Sequence, residues 1–149
     1  MTVLDKLFEE EEKIERAVVD ISRGVLDLSD YVVAKSPLEL AEAEIVGKRI
    51  RESCDSVNEE IHVARRKLGI LLSHSSSVVF KKGKRFLHEM ENELSLIHGD
   101  IEAIGTVAEH FFTSNNREVA FENLSMIQSN LVKHVTSLLG DESRLKKLV

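Results

Sequence analysis

Apolar residues recur at alternating steps of three and four in four separate stretches of this 149-residue chain, and that spacing leaves few folds open. Side chains three and four apart share one face of an α-helix and leave the opposite face polar. The first stretch runs through Leu4, Leu7, Ile14, Val18, Ile21, Val25, Leu28 and Val32. The second reads Val46, Ile50, Ser53, Val57, Ile61, Ala64 and Leu68, with Leu38, Ala41 and Ile45 leading in and Cys54 beside the seam. Leu87, Met90, Leu94, Ile97, Ile101, Ile104, Ala108 and Phe111 form the third; Ala120, Leu124, Ile127, Leu131, His134 and Leu138 form the fourth.

The breaks between these stripes carry their own chemistry. Ser36-Pro37 is a cap followed by a residue suited to a first helical turn. Gly69 is a plausible stop, and Thr113-Ser114-Asn115-Asn116 reads as a turn and a new cap. Gly140-Asp141 reads as a break before a last short turn. The spacing therefore predicts helices over about residues 2–34, 37–68, 82–112 and 116–139, with a short one at 142–148, in a single domain covering 1–149. With only 5% aromatic residues and one proline, the expected class is all-α. Short turns at two of the three connections favour an antiparallel up-down-up-down four-helix bundle of long helices. A homodimer is the alternative packing, with a second copy seated on a second apolar face.

Charge is segregated along the chain. Residues 1–60 carry a net −8, residues 61–88 a net +7 with no acid at all, and residues 89–149 a net −5, giving the overall −6. The basic island consists of Arg65, Arg66, Lys67, Lys81, Lys82, Lys84 and Arg85. The first three lie near the end of the second helix, where the helix dipole favours cations. The other four precede or open the third helix, where the dipole disfavours them, so capping does not account for them. Gathered at one end, these cations focus a field on an anionic partner.

Three kinds of partner are consistent with such a pole. An acidic protein surface ranks first, and it includes another copy of this chain, whose Glu9 to Glu12 run is an obvious complement. Nucleic acid ranks second, bound without sequence preference because few aromatics are present to stack on bases. Peripheral contact with an anionic membrane ranks third, through Ile70-Leu71-Leu72 and Val78-Val79-Phe80 beside the lysines. The longest uncharged stretch, Leu68 to Phe80, is too short and too polar for a transmembrane helix. The start of the sequence lacks the pattern of a secretory signal, and a single cysteine, Cys54, permits no disulfide within the chain, so a cytoplasmic location is expected.

Catalytic and cofactor chemistry finds little foothold. A di-iron bundle needs two Glu-x-x-His pairs, and Glu59 with His62 is the one such pair. The seven glycines are never closer than six apart, so no phosphate loop is present. Ser73 to Ser77, including His74, reads as loop, and His134 reads as a packed core histidine. No cofactor or metal is expected, and the chain is read as a non-catalytic interaction or regulatory module.

One local motif points elsewhere. Phe86-Leu87-His88-Glu89-Met90-Glu91-Asn92-Glu93-Leu94 resembles the phospho-acceptor helix of sensor histidine kinases, in which a histidine followed by an acid accepts a phosphoryl group. The resemblance covers about nine residues. It implies phosphotransfer through His88 assisted by Glu89. Glu93 stands where that family has proline, no ATP-binding domain follows, and the His-x-x-Lys-Gly run of phosphotransfer domains is absent, so autokinase activity is not implied.

Overall fold

The computed structural model describes residues 2–73 and 78–148, residues 78–82 by their backbone alone. All regular structure among the described residues is helical. Four helices pack against each other: α1 Val3–Asp27, α2 Pro37–Ser73, α3 Val78–Glu109 and α4 Arg117–Leu148. Short 3₁₀ turns at Leu28–Tyr31 and Phe111–Thr113 close the first and third connections.

The starts of α1, α2 and α4 are written in local chemistry. The Thr2 hydroxyl accepts from the Asp5 amide at 3.1 Å while the Asp5 carboxylate accepts from the Thr2 amide at 3.1 Å, a reciprocal capping box. Those bonds favour the ionised carboxylate and hold Asp5 below its ordinary pKa. Ser36 Oγ accepts from the Glu39 amide at 3.1 Å, with Pro37 in the first turn, where a missing N–H costs nothing. Asn116 Oδ1 accepts from Val119 N at 3.2 Å and opens α4.

The third stripe is buried throughout, from Leu87 to Phe111. The first is buried from Leu4 to Leu28, with Val32 half-buried. The other two need correction. In α2 the buried positions are Ala43, Gly47, Ile50, Cys54, Val57, Ile61, Ala64, Leu68 and Leu71, so Cys54 lies in the core and Leu38, Ala41 and Ile45 face outward. Small residues let backbones approach: a Cβ on Gly47 would collide with the Ala108 carbonyl of α3. In α4 the stripe passes through Val135, not His134, running Leu131, Val135, Leu138, Glu142 and Leu145.

The expected helix ends also shift. Gly69 does not stop α2, because Leu71 continues the buried face one turn further. Gly140-Asp141 does not break α4, because burying Leu145 outweighs the cost of about 1 kcal/mol for one helical glycine. Helix α3 begins at Val78, four residues before the expected start, so Lys81 also lies on the helix with Lys82, Lys84 and Arg85. Of the expected loop from Ser73 to Ser77, Ser73 is the last residue of α2 and residues 74–77 lie outside the described ones.

Pairings between helices are specific. Lys67 of α2 meets Glu10 of α1, and Gly24 of α1 faces Ile50 of α2. Arg51 and Asn58 of α2 both reach Glu102 of α3. His134 of α4 meets Asp100 of α3, and Gly83 of α3 faces Leu145 of α4. Helices α1 and α4 touch less than the other neighbouring pairs do. Phe8 and Glu11 meet Glu142 and Lys146 at one extremity. At the other, Arg117 donates to the Val32 and Ala34 carbonyls.

Candidate functional site: a charged pole

Lys67 of α2 meets Glu10 in α1, Gly83 of α3 faces Leu145 near the end of α4, and Glu11 of α1 neighbours Glu142 of α4. The cations of the basic island differ in environment. Lys67 is half-buried and pairs with Glu10 at 3.5 Å. Arg85 is exposed and pairs with Glu89, one turn on, at 3.2 Å; its guanidinium lies 6.0 Å from the Phe86 ring. Arg65 is half-buried, while Arg66 and Lys84 are exposed. Among the described residues no carboxylate lies within ion-pair distance of these three. The backbones of Lys81 and Lys82 sit in the first turns of α3; their side chains lie outside the described residues.

The pole is mixed in sign because four carboxyl groups enter the same end. Glu11 interrupts the apolar stripe of α1 between Leu7 and Ile14 and is fully buried. Neither of its oxygens has a hydrogen-bond donor within reach. Its neighbour across the helix interface is Glu142 of α4, also buried, and burial together with that like charge pushes the Glu11 carboxyl up to about 10. A proton retained on Glu11 turns an acceptor facing an acceptor into a donor facing an acceptor. Glu142 stays with Lys146, whose Nζ lies 2.8 Å from Oε1 and 4.8 Å from the centroid of the Phe8 ring.

Asp141 and Glu89 form a second carboxyl pair on the flank facing α3. Burial and the hydrogen bond shared with Glu89 push Asp141 up to about 6, while the same hydrogen bond and Arg85 hold Glu89 below its ordinary value. Arg144 Nη1 lies 2.8 Å from Asp141 Oδ1. On the α1–α2 side Glu60 is raised by burial and by Glu10. The sequence reading gave Glu89, Asp141 and the Glu9 to Glu12 run other roles and did not find the burial of these acids. The signal was available for Glu11 and Glu142, since each occupies a stripe position, four residues from one apolar neighbour and three from the next.

Other candidate residues sit elsewhere. His88 is exposed on α3, but the Glu89 carboxylate turns to Arg85 and Asp141. Glu59 and His62 are both exposed, and the His62 ring lies 5.6 Å from that of His98. His98 Nδ1 lies 3.0 Å from Asn58 Oδ1, and Asn58 donates to Glu102, so these groups form a polar ladder between α2 and α3. Among the described residues no three histidine, cysteine, aspartate or glutamate side chains come together in a way that would hold a metal ion. His134 is half-buried with Nδ1 2.6 Å from Asp100 Oδ2, the carboxylate partner that sequence reading had no means of finding. Burial pushes the Cys54 thiol up to about 12, which removes it as a nucleophile at neutral pH. None of the described helices is long and apolar enough to cross a membrane. No known protein family, characterised protein or solved structure matches this chain.

Proposed function

We propose that this chain is a non-catalytic interaction or regulatory module that engages an acidic partner surface through the cations of its charged pole. The observation that carries the reading is the contrast among those cations. Lys67 and Arg85 are neutralised within the chain, whereas Arg65, Arg66 and Lys84 meet no carboxylate among the described residues, at the same end of the molecule. Lone surface cations contribute little to folding, so their concentration here is free to serve binding.

The helices are read as an up-down-up-down four-helix bundle. The pairings support that order, because residue numbers rise in one helix as they fall in the next: 10 with 67 and 24 with 50, then 58 with 102 and 47 with 108, then 83 with 145 and 100 with 134. In such a bundle the helix ends are open to solvent, and a partner approaches there without displacing core side chains. A protein partner ranks above nucleic acid because the acids Glu10, Glu89 and Asp141 interleave with the cations. A uniformly negative phosphate backbone is repelled by those acids, and a patterned protein surface is not. Phosphotransfer through His88 draws less support, since the acid that would assist it is engaged by Arg85 and Asp141.

The test is titration of a fluorescent acidic peptide, a labelled duplex and vesicles containing phosphatidylserine, each at low and physiological salt, with R65E/R66E/K84E as control. Peptide binding that weakens with salt and vanishes in the variant supports the reading. Preference for the duplex or the vesicles replaces the acidic protein with that partner. Absence of binding to all three at low salt overturns the pole as a binding site.

A further inference from the structure

The seam between α1 and α4 is open from Glu15 to Leu26 on α1 and from Phe121 to Leu139 on α4. Two clasps hold the helices together at their extremities, Glu142 and Lys146 against Phe8 and Glu11, and Arg117 against the Val32 and Ala34 carbonyls. Between them runs an open groove of about 460 Å³. Its floor is the core itself, Val18 and Val25 from α1 with Val135 from α4. Its lips are apolar and uncovered: Val19, Leu26 and Val132 are 45%, 66% and 48% exposed. On α1 Val19 and Leu26 share a line with Glu15 and Ser22, one position round from the core stripe 14, 18, 21 and 25. Large apolar side chains uncovered on that line, facing Val132 of α4, form a patch of the kind that another surface covers.

The groove also carries charge, and its arrangement identifies the occupant. Glu15 and Arg23 both line it, four residues before and four residues after Val19. Arg23 makes only a long contact of 3.9 Å with Asp20, and both side chains of that pair are largely exposed. If two α1 helices cross in opposite directions about a twofold axis at Val19, Glu15 of each falls opposite Arg23 of the other. A surface that complements itself in this way is the signature of an isologous interface. In the same crossing Leu26 of each copy comes to the level of Glu12, beside the half-buried Leu139 at the groove's end. A ligand of one sign, or a purely apolar chain, would leave one or both of these charges without a counterpart.

We propose that the α1–α4 groove is the interface of a homodimer in which α1 of each copy lies in the groove of the other, with Val19 at the twofold axis and reciprocal Glu15–Arg23 pairs across it. None of Arg65, Arg66 and Lys84 lines the groove, so the variants that test the dimer and those that test anion binding alter different residues.

The test is the mass of the full chain by sedimentation equilibrium over a hundredfold range of concentration. The expected mass is twice 16.8 kDa at the upper end. Val19→Asp is expected to give a monomer with unchanged helical content, since the side chain is half exposed and its loss leaves the core intact. Glu15→Arg and Arg23→Glu are each expected to weaken association about tenfold or more, because the twofold axis doubles every like-charge contact. The double variant E15R/R23E is expected to recover most of the affinity, an outcome that nonspecific apolar association does not give. A monomer at all concentrations overturns the proposal. So does a dimer that ignores Val19→Asp, or one for which the double variant is as weak as the single ones.

Discussion

Glu11 of α1 and Glu142 of α4 face each other inside the protein, each in a stripe position that an aliphatic residue would ordinarily fill. Two buried carboxylates at close range cannot both ionise, and Lys146 serves only one of them. The pair therefore holds a proton, and that proton ties the stability of the α1–α4 seam to pH.

The sign follows from linkage. Glu11 titrates near its ordinary 4.5 in the unfolded chain and at about 10 in the fold. Between those limits the folded state binds a proton that the unfolded state has released, so stability is complete below about 4.5 and falls as pH rises toward 10. Asp141 adds a narrower loss of the same sign between 3.8 and about 6, partly offset by Glu89, which shifts the opposite way. Thermal unfolding is expected to show a midpoint that drops by several degrees from pH 6 to pH 9. Glu11→Gln, neutral at every pH, is expected to flatten most of that slope, and an unchanged slope would remove Glu11 as its source.

The same burial predicts that Glu11→Leu stabilises the protein. Exchanging a buried polar group that lacks a hydrogen-bond donor for a well-packed apolar one is often favourable by about 1–4 kcal/mol. Urea unfolding at pH 8 is the suitable measurement, because there holding the Glu11 proton already costs folding free energy. Loss of stability on Glu11→Leu would mean that the carboxyl pair holds the helices together.

How far the sequence led differs from helix to helix, for physical reasons. Helix α3 was legible because every stripe position from Leu87 to Phe111 is apolar and all are buried. In α2 the contact face carries Ala43, Gly47 and Cys54, and small side chains look like noise beside Ile45 and Leu38, which in fact face outward. His134 displaced Val135 in the reading because both suit a three-or-four step; the neighbouring Asp100 that draws the histidine aside belongs to another helix. The basic island was visible, but its partial neutralisation was not. Glu10 lies 57 positions from Lys67 in the chain, and only packing brings them to 3.5 Å. Glu11 was hidden inside a run of four acids, although its register marked it as different.

Two glycines in α2 are expected to respond oppositely to alanine. At Gly47 the new Cβ collides with the Ala108 backbone carbonyl, which cannot move without shifting α3, so Gly47→Ala is expected to cost about 1–3 kcal/mol despite its better helix propensity. At Gly69 a Cβ meets nothing within 4 Å, so Gly69→Ala is expected to gain about 0.5–1 kcal/mol. At this chain length each kcal/mol moves the melting midpoint by about 2–4 °C. Equal and favourable shifts at both positions would contradict the close approach of α2 and α3.

Cys54 is expected to be silent toward thiol reagents in the folded protein. It is 1% exposed, and burial pushes its thiol up to about 12, so both access and thiolate are missing at pH 8. A chromogenic disulfide reagent should report no thiol over minutes under native conditions and one per chain in denaturant. Rapid native reaction would place Cys54 on the surface and the α2 register in error.

Arg117 is expected to govern the other end of the α1–α4 seam. Its guanidinium, at the first residue of α4, donates through Nε to the Val32 carbonyl at 3.3 Å and through Nη2 to that of Ala34. Those carbonyls follow the end of α1, where chain direction changes and backbone acceptors lose their helical partners. One planar fork satisfies two acceptors at once, which a lysine ammonium on a single stem does less well. Hydrogen bonds from a charged donor are worth about 1.5–3 kcal/mol each, so Arg117→Ala is expected to destabilise by about 2 kcal/mol after solvent and side-chain entropy are discounted. Arg117→Lys should recover less than half of that. Amide hydrogen exchange is the discriminating measurement. Faster exchange confined to the α1–α2 connection and the first turns of α4 would locate the clasp there, whereas a uniform increase along all four helices would make Arg117 a contributor to global stability alone.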